Sequence, residues 1–143
     1  MFGFKIFLVK QMPGLYILFI TVSCTAQNIP APVKATFEKS FPHTVVKKWD
    51  KEGSNYEANF SKDGKTMSAT FDANGTWKET ETDIKIEELP PSVLSYIKPN
   101  YRDAGIKEAA IIETAKDKMY EVEVKRKDLL FDMHGEFLKE EQD

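Results

Sequence analysis

A chain of 143 residues that is 41% hydrophobic and 30% charged has room for one domain, or for two small lobes sharing a core. Its single cysteine excludes an internal disulfide framework and a cysteine-based metal cluster. The net charge of −3 comes with no basic patch, which argues against nucleic acid as a partner.

Residues 1–26 read as a secretory signal peptide. Lys5 and Lys10 give a positive start, and Leu15 to Val22 form an apolar run too short for a comfortable membrane span. Two processing routes fit. Cys24-Thr25-Ala26 before Gln27 suits an ordinary signal peptidase. Alternatively, Cys24 becomes the lipidated first residue of an outer-membrane lipoprotein, following Thr21-Val22-Ser23. The periplasm is the expected location, with membrane contact only through a lipid anchor at Cys24.

Residues 28–82 form a first unit. Pro30 and Pro32 suit a helix start. Val33, Phe37 and Phe41 then make a stripe at helical spacing, which Pro42 stops. Residues 44–52 read as a strand, with a turn at Gly53-Ser54. Residues 55–62 alternate, with Tyr56, Ala58 and Phe60 inward and Glu57, Asn59 and Ser61 outward. Asp63-Gly64 turns the chain into residues 65–72, where Met67, Ala69 and Phe71 point inward. The next turn, Asp72-Ala73-Asn74-Gly75, puts a carboxylate at its start and a glycine where positive φ is needed. That register sets Phe71 opposite Trp77 and opens a fourth strand over 76–82.

Residues 83–88 link this unit to a second over residues 89–143. Leu89-Pro90-Pro91-Ser92 echoes Ile29-Pro30-Ala31-Pro32, and Val93, Ile97 and Tyr101 repeat the stripe, with Pro99 expected to end the helix early. Residues 105–115 match the first strand, 118–126 the second, a Lys127-Asp128 turn follows, and 129–133 and 136–141 close the unit. Phe131-Asp132-Met133-His134-Gly135 repeats the organising turn. The expected fold is α+β: two tandem repeats, each one helix followed by a four-stranded antiparallel sheet. One helix covers one face of its sheet. The other face is left polar and open, and concave if the two sheets join edge to edge.

The residues Tyr56-Glu57-Ala58-Asn59-Phe60, Phe71-Asp72-Ala73-Asn74-Gly75, Tyr120-Glu121-Val122-Glu123-Val124 and Phe131-Asp132-Met133-His134-Gly135 resemble the PepSY-like domain of exported bacterial proteins. Here it stands in a tandem form whose fold is similar to the β-lactamase inhibitor protein. The resemblance implies a small exported protein with no assigned catalytic residues. Peptidase inhibition and sensing are the roles associated with related PepSY domains. Fold similarity alone does not carry lactamase inhibition across, because function lives in the site.

No catalytic motif, cofactor motif or metal signature appears. His43 and His134 fall in turns. Glu121 and Glu123 share a strand face and could form an acid pair, though charge at alternate positions is the ordinary outer face of a sheet. Trp49 has no aromatic echo, Ala109 holding its place. It is either core or an anchor on the open face. The expected partner-binding residues are Trp49, Glu57, Asn59, Ser68, Thr70, Glu121 and Glu123, beside Lys78 and Lys125, and the expected partner is an envelope protein or peptide. The alternative is a small-ligand- or calcium-responsive protein using Asp72, Asn74 and Asp132. Thr76-Trp77-Lys78-Glu79 does not complete an EF-hand loop.

Overall fold

The computed structural model describes residues 28–102 and 104–142. The segment expected to be a signal peptide, residues 1–26, and with it Cys24, lies outside the described residues. The chain runs α1 (Ala31–Ser40), β1 (Val46–Glu52), β2 (Asn55–Lys62), β3 (Lys65–Asp72), β4 (Trp77–Asp83), a 3-10 turn (Ile86–Glu88), α2 (Pro91–Asn100), β5 (Glu108–Thr114), β6 (Lys118–Val124), β7 (Lys127–Asp132) and β8 (Phe137–Gln142).

The expectation of two four-stranded sheets is overturned. All eight strands form one antiparallel sheet in sequence order. The join is β4 against β5, from Glu79 opposite Thr114 to Asp83 opposite Ala110. Two separate sheets would have left both of these strands as edges with unpaired backbone groups. Joining them leaves only β1 and β8 as edges. β1 carries Lys47, Lys48 and Lys51 and a bulge between Val46 and Lys48. β8 carries Lys139, Glu140 and Glu141. Charge and bulges of this kind discourage a further strand from adding.

Each helix buries its stripe on the same side of the sheet. Ile29, Val33 and Phe37 pack with Ala58, Phe60, Ala69 and Phe71. Leu89, Val93 and Ile97 pack with Val122, Val124, Leu129 and Phe131. Phe37 meets Phe60 edge-on at 5.1 Å and Trp49 at 5.8 Å. In the second unit the aromatic moves one position along the helix, where Tyr96 stacks on Phe137 at 4.6 Å. Offset and edge-on ring pairs add to plain area burial.

The organising turns form as their residues demand. Asp72 Oδ1 accepts the N–H groups of Asn74 and Thr76, each at 3.0 Å. Asp132 Oδ1 accepts those of His134 and Glu136, each at 2.9 Å. Gly75 and Gly135 take φ +83° and +84°, and Phe71 faces Trp77 as Phe131 faces Phe137. Ser92 Oγ, in the first turn of α2, donates to the His134 carbonyl at 3.0 Å and ties helix to turn.

Two local expectations need correction. α2 runs through Pro99 to Asn100, since a proline in a helix's final turn removes one hydrogen bond where few remain. The β6–β7 turn is Lys125–Arg126, at φ +53° and +62°, and Lys127 and Asp128 open β7. A two-residue hairpin of type I′ needs positive φ at both positions, and Lys-Arg gives no such signal in sequence.

Candidate binding face

The sheet has a covered face and an open one. Among the described residues no helix packs on the side opposite α1 and α2. Strand pairing sorts the side chains onto these faces. Glu57 lies between Asp50 and Thr70, and Asn59 between Lys48 and Ser68. Glu121 lies between Ala110 and Leu130, and Glu123 between Glu108 and Asp128. Six of the expected binding residues (Glu57, Asn59, Ser68, Thr70, Glu121 and Glu123) therefore share the open face.

Trp49 does not join them. It pairs with Ala58, a fully buried residue, and packs in the first core against Phe37. The bulge between Val46 and Lys48 shifts the alternation of β1 and carries Trp49 to the helix side. Lys125 also leaves the face: it sits in the β6–β7 turn with Nζ 3.4 Å from the Arg102 carbonyl. Lys78 pairs with Asp72 at 3.1 Å.

The open face has internal order. Asn59 Nδ2 donates to Asp50 Oδ2 at 3.1 Å. Glu123 is only 5% exposed, although it is charged and lies on the side without a helix. Lys107 Nζ, 2.8 Å from its Oε1, is what makes that burial tolerable. Three apolar residues of the same face, Ala110, Ile112 and Leu130, are also buried. At the strand margin the same carboxylates border a cleft of about 420 Å³, lined by Glu81, Asp83, Lys85, Glu87, Glu108 and Glu121 among others. At the β1 end the Glu52 carboxyl is pushed above its ordinary value, first by burial and then by Glu57, Asp50 and the acids of β4.

A second concavity of about 420 Å³ lies on the covered side, over β4 and β5 beside the end of α1. Phe41, Met67, Trp77 and Ile111 line it, and Trp77 Nε1 donates to Thr80 Oγ1 at 2.9 Å.

The carboxylates singled out as cation candidates hold turns instead. Backbone N–H groups of Thr76 and Glu136 are the main reason Asp72 and Asp132 lie below the ordinary aspartate value. Among the described residues no three acidic, histidine or cysteine side chains converge as a metal site requires. Sequence reasoning missed Glu108, Asp128 and Glu141, which join the open face. The misplaced β6–β7 turn concealed Asp128. Alternation running back from Glu121 through β5 would have found Glu108.

Comparison with known proteins agrees with this architecture. A family model described as "Putative beta-lactamase-inhibitor-like, PepSY-like" matches residues 20–67 and again residues 55–139. Among solved structures, a BLIP-like protein from Bacteroides fragilis is 29% identical, with a TM-score of 0.68 over 79% of this chain and 86% of that one. A DUF2874 family protein from Bacteroides ovatus is 24% identical, with a TM-score of 0.72 over 81% and 89%. A protein from Bacteroides eggerthii, described as "putative periplasmic", is 18% identical, with a TM-score of 0.72 over 81% and 90%. The last two are likenesses of fold alone. No curated protein matches the chain.

Proposed function

This chain belongs to the PepSY-like family, and on that footing we propose that it is an exported, non-enzymatic binding module of the periplasm. It engages a protein or peptide through the open face of its sheet, as an inhibitor would. One observation carries the reading: eight strands form a single sheet, and both described α-helices pack on the same side of it. The uncovered side presents Glu57, Asn59, Ser68, Thr70 and Glu121 in adjoining cross-strand rows. A broad polar face fits another macromolecule, whereas small ligands are held in enclosed, mostly apolar cavities. The likeness to a BLIP-like protein supports the same reading. No described helix is long and apolar enough to cross a membrane.

The test is a pull-down from envelope extract with the exported chain, run beside a Ser68→Arg, Thr70→Arg variant. A partner held by the native protein and lost by the folded variant supports the face. A partner held equally by both removes it.

A further inference from the structure

On the helix-covered side the two repeats finish their last strands differently. In the second repeat large side chains fill the place. Tyr96 lies flat on Phe137, with ring centroids 4.6 Å apart and planes 10° apart. Beside them Tyr101, at the end of α2, donates to Glu140, and Lys127 pairs with the same carboxylate. The first repeat puts smaller or apolar residues at the equivalent positions. Thr36 stands on α1 where α2 has Tyr96. Thr80 pairs with Ala69 as Glu140 pairs with Leu129, and Thr82 pairs with Met67 as Gln142 pairs with Lys127. Three threonines thus replace a tyrosine, a glutamate and a glutamine. Here, with Thr80 and Thr82 in its wall, lies the concavity of about 420 Å³ beside the end of α1.

The charged network of the second repeat is gone from this place as well. Met67 replaces Lys127, Phe41 replaces Tyr101, and Ile111 of β5 adds an apolar wall that the edge strand β8 has no neighbour to supply. Phe41, Met67, Trp77 and Ile111 are each only partly buried, so apolar surface remains for an occupant to cover. The rim carries one charge of each sign, Glu113 and Lys118, paired at 3.2 Å. An uncharged occupant is the electrostatic complement. Apolar and aromatic walls with a few hydroxyls, around a volume of this size, suit a small molecule. The second repeat shows which shape fits, because it covers its own ring with another ring. We propose that this concavity binds a small, uncharged, planar aromatic molecule of one or two fused rings. The molecule takes on Trp77 the place that Tyr96 takes on Phe137, with a hydroxyl substituent toward Ser40 and Thr82 at the border. The site lies on the opposite side of the sheet from the partner face, so the two readings stand or fall separately.

The test is an NMR titration of the isotope-labelled exported chain with 2-naphthol, read at the two tryptophan indole N–H signals. The Trp77 signal should shift and saturate. The Trp49 signal should stay, because that ring packs against Phe37 in the first core. Decahydro-2-naphthol, the puckered analogue with the same carbon skeleton, should shift neither at the same concentrations. Thr36→Tyr gives α1 the ring that α2 carries, and should weaken 2-naphthol about tenfold, the worth of one ring–ring contact. Thr82→Gln, which restores the second repeat's longer side chain, should weaken it too and serves if Thr36→Tyr does not fold. Ser68→Arg, Thr70→Arg, on the other face, should bind 2-naphthol as the native chain does. No shift at Trp77, equal shifts at both tryptophans, or equal shifts with the puckered analogue overturns the proposal. So does native affinity in folded Thr36→Tyr and Thr82→Gln, or loss of binding in the open-face variant.

Discussion

Gly75 lies against the carbonyl of Pro32, so close that a Cβ on the glycine would stand 2.5 Å from the oxygen. The turn that organises each repeat is therefore pressed onto the start of its helix. Gly75 combines that approach with φ +83°, whereas Gly53, at φ +58°, has open space around it. Gly75→Ala should cost about 2–4 kcal/mol of stability, through strain plus backbone overlap. Gly53→Ala should cost about 1 kcal/mol, through strain alone. Gly135→Ala should fall between them, because it meets the Ser92 hydroxyl, which can rotate away. Urea midpoints of the three variants check the order.

Two carboxylates should act on stability with opposite sign as pH changes. Backbone hydrogen bonds from the turn, first that of Thr76, hold Asp72 below its ordinary value of 3.8. Its contribution is present above that value and is lost as pH falls through the lower, folded-state value. Asp72→Asn should therefore be less stable than the native chain at neutral pH, with the difference closing in acid. Glu52 is raised above 4.5 by burial and by its acidic neighbours. Its favourable contribution is complete below 4.5 and lost as pH rises through the raised value. Glu52→Gln should gain stability at neutral pH, by less than about 1 kcal/mol at a half-buried site that water still screens, and nothing in acid. Denaturation midpoints at a series of pH values show both signs.

Lys107 should matter more than its exposure suggests. Lys107→Ala would leave the buried Glu123 carboxylate without its ion-pair partner. The expected loss is about 1–3 kcal/mol. Adding Glu123→Gln to that variant should recover part of it, and a double-mutant cycle measures the coupling.

A continuous sheet should unfold as one unit. Both tryptophans, Trp49 and Trp77, sit in the first repeat. Phe131 is fully buried in the second, and Phe131→Ala should cost about 3–5 kcal/mol. Tryptophan fluorescence and far-ultraviolet dichroism should then report the same lowered midpoint. A fluorescence transition left in place would mean that the halves unfold separately.

The sequence made visible what depends on near neighbours. The helical stripes, the Asp-x-x-Gly turns and the Phe71–Trp77 and Phe131–Phe137 pairs all follow from local spacing, and the duplication reinforced each. The single sheet did not show, because the alternating Thr and Glu of β4 read alike at an edge and at a junction. Only pairing with the Ala110–Thr114 stretch distinguishes them, and that contact is remote in sequence. Trp49 was legible as either core or an anchor, and one bulge decided its face. Asp128 stayed hidden behind a turn of two charged residues that take positive φ without glycine or asparagine.

The most direct measurement of the central claim is site-specific photo-crosslinking in intact cells. A photoreactive phenylalanine analogue would replace Thr70 on the open face, or Leu94, which is exposed on α2. The account predicts a discrete higher-mass adduct from position 70 and none from position 94. Adducts from position 94 alone, or equally from both, would contradict it.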